Sequence, residues 1–367
     1  MPSNLRDKPL IACLHPYVEE RRKDIEQGLY PRHHLWGIED IEKEKNWRTK
    51  TISSTSVQVP TLLERLLDRS IFRGSPGTKV ELAALRASRI SDLVYSVCGP
   101  LALAKTYSNK LVSWTFRNPI DLGSSFKLSH RAYRPRNLSA NAAFFCLTSK
   151  SESSYANFAP SRFIPWCVDM DLFDGLPSAG KPQKPFFLAT GKTGRDYCSL
   201  VKGSSLVNAE VRIIGPGHQK PDRIPPNVKW IDTSKDPPDQ AIDYPTLREW
   251  YAQCTAVCIP LSGDSDDTCG YTNMLEAMAM RKPVLMTHSG CLDIDPETRG
   301  FGKLIEPQDH SGWTDAMNYI LKDKKRADRL GEEGRRMTEK EFTIERFNRD
   351  VLKFLRELLE NRKELVD

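Results

Sequence analysis

Apolar residues in this chain gather into short continuous runs, and the stretches between those runs carry helical spacing instead. Residues 9–14 (PLIACL) form the first run; a polar loop follows, and then 31–47 places Leu35, Ile38 and Ile41 on one helical face. Runs at 93–97, 111–116, 144–148 and 163–165 read as further buried strands. Beyond residue 185 the alternation restarts, with strands expected at 186–190, 211–214, 228–231, 256–260 and 284–286. Continuous apolar strands alternating with helices call for parallel sheets covered on both faces, an α/β fold. Between the two series, 174–185 (DGLPSAGKPQKP) is rich in proline and glycine and has no periodicity, which marks a linker. The expected domains are therefore 1–178 and 179–342. A final amphipathic helix within 343–367 puts Phe347, Val351, Phe354, Leu355 and Leu358 on one face.

Composition narrows the class without naming a function. A length of 367 residues suits two domains, each able to bury a core. Hydrophobic content of 39% and charged content of 28% argue against disorder, a collagen-like chain or a coiled coil. No apolar run approaches the roughly 20 residues of a spanning helix, and no apolar signal region follows the first residues, so a cytoplasmic location is expected. The nine cysteines are irregularly spaced with no Cys-x-x-Cys pair, which fits reduced thiols better than disulfides or a zinc site. A net charge of +6 is modest, and the basic residues are interspersed with acids, so nucleic acid is not an expected partner. Clusters such as Arg131, Arg134 and Arg136, or Lys322, Lys324, Lys325 and Arg326, leave open a peripheral contact with anionic lipid at the inner membrane face.

The candidate chemistry concentrates in 264–287 (DSDDTCGYTNMLEAMAMRKPVLMT). A turn-rich loop leads through Gly270 into an almost wholly apolar helix bearing Met274, Leu275, Ala277, Met278 and Met280, with Glu276 in its middle. A carboxylate in such a helix is costly unless an ion pair or a ligand hydroxyl satisfies it. The start of the helix offers unsatisfied N–H groups and a positive dipole end, which suit a phosphate. A second constellation is 186–197 (FFLATGKTGRDY), a buried strand ending in a glycine-rich turn that carries Lys192 and Arg195. Gly191-Lys192-Thr193 looks like the end of a P-loop, but Phe186 stands where that motif needs its first glycine.

These segments resemble the GT-B glycosyltransferases, in particular the large retaining group (family 4-like, group 1). LEAMAMRKPVLMT is similar to that family's donor-site signature, and VRIIGPGH, NVKWID and YPTLREWYAQCTAVCIPL follow in the order of its donor domain. In the first half, FIPWCVDMDLF resembles the segment closing the acceptor-side domain. The resemblance implies two Rossmann-like domains with an interdomain cleft, the terminal helix crossing back to the N-terminal domain. It implies transfer of a sugar from a nucleoside diphosphate sugar, UDP or GDP, to a hydroxyl acceptor, with retention and with no metal or other cofactor. Glu276 would hold the ribose, and Lys192 and Arg195 would neutralise the departing diphosphate. The rest of the implied donor site comprises Gly191, Thr193, Gly215, Trp230, Ile231, Asp266, Asp267, Gly270, Tyr271, Thr272 and Asn273. Most relatives carry a second glutamate eight positions before the helix glutamate; Thr268 stands there in this chain. The run Asp264-Ser265-Asp266-Asp267 looks like the Asp-x-Asp metal motif of another glycosyltransferase architecture, whose placement in the chain is different.

In the N-terminal half, histidine is the side chain suited to moving protons near neutral pH, which makes His33 a catalytic candidate. His15, Arg32, His34 and Arg117 are candidates for the acceptor side. Two other functions stay open at this stage: a nucleotide-sugar epimerase or hydrolase on the same scaffold, and a non-catalytic nucleotide-sugar-binding protein.

Overall fold

A computed structural model describes residues 8–119, 129–174, 184–233, 242–263, 268–289 and 292–364. The chain divides into two compact units, the first made of Met1–Glu26, Arg32–Pro165 and Glu345–Asp367, the second of Gln27–Pro31 and Trp166–Ile344. The domain boundary expected near residue 178 lies outside the described residues. Among the described residues no helix is long and apolar enough to cross a membrane.

The first unit holds a parallel sheet of β1 (Leu10–His15), β2 (Arg48–Ser53), β3 (Leu93–Ser96), β4 (Leu111–Thr115), β5 (Ala143–Cys146) and β6 (Ser161–Phe163), in the order β2-β1-β3-β4-β5-β6. Every residue of β3, β4 and β5 is buried, as a sheet covered on both faces requires. One cover is the C-terminal helix Ile344–Glu364, whose Phe347 stacks on Trp114 at 5.2 Å, while Phe145 stacks on the same indole at 4.8 Å.

The second unit repeats the plan with β7 (Phe186–Thr190), β8 (Glu210–Gly215), β9 (Val228–Asp232), β10 (Ala256–Ile259), β11 (Val284–Thr287) and β12 (Gly302–Ile305), in the order β12-β11-β10-β7-β8-β9. From β7 the chain winds outward through β8 and β9, then returns to the other side of β7 at β10. That reversal leaves a crevice beyond the carboxyl ends of β7 and β10, the place where open parallel sheets receive ligands. In the first sheet the corresponding reversal lies between β1 and β3.

Of the four edge strands, β2 and β12 have no counterpart in the sequence reading. β2 (RTKTIS) is mostly exposed or half-buried, and β12 (GKLI) buries only its two ends. Each has a neighbour on one side only and so needs no continuous apolar run. Ser161–Phe163 begins two residues earlier than the strand read from the sequence.

Candidate functional site

At the reversal in the second sheet, the turns after β7 and β10 are tied together. Arg195 and Leu261 form an antiparallel bridge, Asp196 N–H donates to the Pro260 carbonyl at 3.0 Å, and Ser262 N–H donates to the Gly194 carbonyl at 3.0 Å. Asp196 also caps the helix Tyr197–Ser204 through Ser199 N–H at 3.1 Å. The turn between β7 and that helix is thereby fixed at both ends. Its glycines Gly191 and Gly194 have positive φ, and the Arg195 guanidinium folds back over Gly191.

Arg195 is held by three acceptors: Nε donates to the Thr190 carbonyl at 3.3 Å, Nη1 to the Thr193 carbonyl at 2.8 Å and Nη2 to Asn273 Oδ1 at 2.7 Å. The last bond carries the network into the helix Tyr271–Ala279. Asn273 Nδ2 reaches the Tyr251 hydroxyl at 3.3 Å, and that hydroxyl donates to Glu276 Oε2 at 2.9 Å. Glu276 is 1% exposed, and its second oxygen, Oε1, is buried without a partner among the described residues. Burial pushes the Glu276 carboxyl up to about 8, against the pull of the Tyr251 hydrogen bond. Arg195 and Glu276 are thus the two ends of one hydrogen-bonded chain, and Glu276 keeps a single oxygen for another donor.

Gly270 precedes the helix in the left-handed region (φ 85°), and no side chain caps the helix. A Cβ at Gly270 would lie 2.7 Å from Ile259 Cγ2, so the residue serves both a turn and a close approach to β10. Gly270→Ala is expected to destabilise the protein by about 2–3 kcal/mol, read as a lower urea midpoint with an unchanged slope. The Tyr271 N–H is taken by the Thr268 carbonyl at 3.2 Å. That leaves the N–H groups of Thr272 and Asn273 as the helix-start donors suited to an anion. Thr268 itself supplies this turn carbonyl.

The remaining expected residues line the carboxyl ends of β8 and β9. A Cβ at the buried Gly215 would stand 2.9 Å from the Tyr197 ring and 3.1 Å from that of Trp230, so only glycine leaves this space. Tyr197 and Trp230 meet edge to face at 5.1 Å, and Tyr197 Oη donates to the Gly191 carbonyl at 2.8 Å. Among the described residues Trp230 Nε1 and Thr233 Oγ1 are buried without hydrogen-bond partners, as is Gln219 Oε1, whose amide nitrogen donates to the Lys192 carbonyl at 2.8 Å. Unpaired buried polar atoms cost on the order of 1–3 kcal/mol each, and their collection along one crevice suits a polar ligand. Ile231 is half-buried in β9, while Lys192 and Thr193 are exposed on the turn. Asp266 and Asp267, and the Asp264-to-Asp267 run as a whole, lie outside the described residues.

Sequence reasoning missed Tyr251, Gln219 and Thr233. Tyr251 sits on the buried side of the helix Tyr244–Gln253, where a tyrosine reads as core. Thr233 directly follows β9, and only that place at a carboxyl end could have marked it.

The N-terminal candidates belong to the first unit. His15 ends β1 at the reversal of the first sheet; its Nδ1 accepts from Tyr17 N–H at 3.1 Å, which leaves Nε2 to donate to the His34 carbonyl at 2.9 Å. Burial lowers the His15 pKa to about 4 and that of His34 to about 3. His33 is 2% exposed, packs its ring 4.4 Å from that of His34, and is held well below its ordinary pKa by burial. His33, the catalytic candidate of this half, is therefore a packed imidazole that burial keeps neutral. Arg32 is paired with Glu39 at 3.2 Å, and the Arg117 carbonyl accepts from Tyr155 Oη at 2.9 Å.

Comparison with known proteins now bears on this geometry. Residues 196–323 match the family model described as glycosyl transferases group 1. The second unit is thus similar to the group 1 glycosyl transferases over that stretch. The match spans the capping Asp196, the β8 and β9 ends and the Glu276 helix, and it covers less than half of the chain. The fold is similar to that of sucrose-phosphate synthase from Thermosynechococcus elongatus, at 15% identity and a TM-score of 0.65, over 96% of this chain and 100% of that one. It is similar to a glycosyltransferase from Rickettsia africae, at 16% identity and a TM-score of 0.61, over 97% and 100%. Anabaena HepE in complex with UDP-glucose is also similar, at 13% identity and a TM-score of 0.60, over 95% and 100%. These likenesses establish the GT-B fold. A search of curated protein sequences finds no match to the chain.

Proposed function

We propose that this glycosyltransferase moves a sugar from a nucleoside diphosphate sugar to a hydroxyl acceptor, with retention at the anomeric carbon and without a metal. The observation that carries the reading is Glu276, a buried carboxyl with one oxygen held by Tyr251 and the other unpaired. A ribose hydroxyl is the kind of donor such an oxygen takes, and the bond becomes charge-assisted once the carboxyl ionises, which a donated hydrogen bond itself favours against the burial that holds its pKa near 8. Arg195 stands at the far end of the same network beside the uncapped helix, so a nucleoside anchored at Glu276 would bring its diphosphate toward the arginine and the Thr272 N–H. Lys192 on the same turn adds a second cation. In this reading the cations and the helix terminus do the work a metal would do for the leaving diphosphate.

UDP and GDP are the proposed nucleotides; HepE, crystallised with UDP and with UDP-glucose, favours UDP. Ligand binding to the folded state alone raises the unfolding midpoint, by about 2.7 kcal/mol of stability at a hundred times Kd. A thermal-shift panel of nucleoside diphosphates and their sugars is expected to show a rise with UDP or GDP and a smaller one with the monophosphates. A flat response to every nucleoside diphosphate would overturn the proposal. With the donor known, NMR of the product anomer tests retention, and turnover undiminished by EDTA tests metal independence. Conversion of the donor in the absence of acceptor to a new nucleotide sugar would identify an epimerase instead.

A further inference from the structure

We propose that the helix Thr61–Arg69 in the first unit docks this protein on an anionic lipid bilayer. The sequence TLLERLLDR spaces its leucines as a core-facing helix would, yet none of its residues is buried. Leu62 is 83% exposed, Leu66 64% and Leu63 46%, an apolar strip turned toward water. Scattered exposed leucines need no explanation; three along one face of a single helix do.

The charges on the helix are sorted. Its acids face the neighbouring helix Thr78–Ile90: Glu64 pairs with Lys79 at 3.0 Å, and Asp68 accepts from both Thr78 N–H and Thr78 Oγ1 at 2.7 Å. Arg65 and Arg69 are exposed, and at 100° per residue they fall beside Leu62 and Leu66 on the outward side. Arg73, just past the helix, is exposed as well. The outward face is therefore apolar with a basic margin, the arrangement of a helix lying in a headgroup boundary.

A second basic group adjoins it. Gly74, in the turn after the helix, packs directly against the His130 ring, and the chain continues from His130 into the exposed Arg131 and Arg136. Leucines and arginines thus share one region of the first unit. A layer of acyl chains under anionic headgroups matches both characters at once. The net charge of +6 acts in the same direction.

Cosedimentation of the full-length protein with vesicles tests this directly. Vesicles of phosphatidylcholine mixed with phosphatidylglycerol are expected to bind the protein, and phosphatidylcholine alone to bind it far less. Leu62→Ser with Leu66→Ser is expected to weaken the partition about tenfold or more, and Arg65→Gln with Arg69→Gln about thirtyfold at low salt. All four side chains are exposed, so unchanged unfolding midpoints are expected. On the unsubstituted protein, hydrogen exchange should slow in residues 61–73 when the mixed vesicles are added. No binding to the mixed vesicles, equal binding by both double variants, or unaltered exchange in 61–73 would overturn the proposal. So would a concentration-dependent dimer that the leucine variant abolishes, because a second copy would then cover the face.

Discussion

Glu276→Gln is expected to lower kcat/KM about a hundredfold while making the unliganded protein more stable near neutral pH. The catalytic half follows from the chemistry of the carboxylate. A hydrogen bond to a charged group is worth about 1.5–3 kcal/mol, roughly ten- to 150-fold. The amide keeps the Tyr251 contact but presents no charge to the nucleoside. Because the ribose does not change during transfer, this contact acts on ground state and transition state alike, so the loss should fall mainly on KM. The nucleoside diphosphate alone should lose its thermal shift in parallel.

The stability half follows from burial. An unfolded glutamate titrates near 4.5, and Glu276 in the folded protein near 8. Between those values the folded state holds the proton more tightly than the unfolded state, so stability falls as pH rises through that window. The loss is complete above pH 8 and absent below 4.5. The Tm of Glu276→Gln should therefore match that of the unsubstituted protein in acid and exceed it increasingly up to pH 8. A Gln variant less stable than its parent at pH 8, or one with unchanged donor binding, would remove Glu276 from the site.

Most of the fold was legible because the inner strands must be apolar on both faces: β3, β4, β5, β10 and β11 are wholly buried and read as continuous runs. β2 and β12 escaped because neither carries a continuous apolar run. The site was legible where a residue was costly in its place, as Glu276 is in an apolar helix. It was illegible where residue type and pattern matched an ordinary role, as for Tyr251 on the buried side of its helix. The burial of His33 was not legible either: the short helical turn Arg32–Leu35 directs that ring into the unit. The leucines of Thr61–Arg69 carry a core pattern that the fold turns outward.

Arg195→Ala is expected to lower kcat about 100- to 1000-fold with the fold intact, the range for removing a preorganised donor from a developing oxyanion. Guanidinium has five N–H donors; Thr190, Thr193 and Asn273 occupy three in the unliganded protein, leaving two directed by a side chain that cannot swing away. As the bond to the anomeric carbon breaks, negative charge grows on the diphosphate, so this interaction strengthens in the transition state and its loss should fall on kcat more than on KM. Arg195→Lys should recover only part of the rate, since an ammonium cannot keep the Asn273 bond and two phosphate bonds in one plane. Asn273→Ala should lower kcat about tenfold by loosening the guanidinium, with Arg195→Ala and the double variant equally slow. Additive effects would mean that Asn273 acts on the ligand directly and not through Arg195. Unchanged kcat in Arg195→Ala would mean that the leaving diphosphate is stabilised elsewhere, and the proposed mechanism would fall with it.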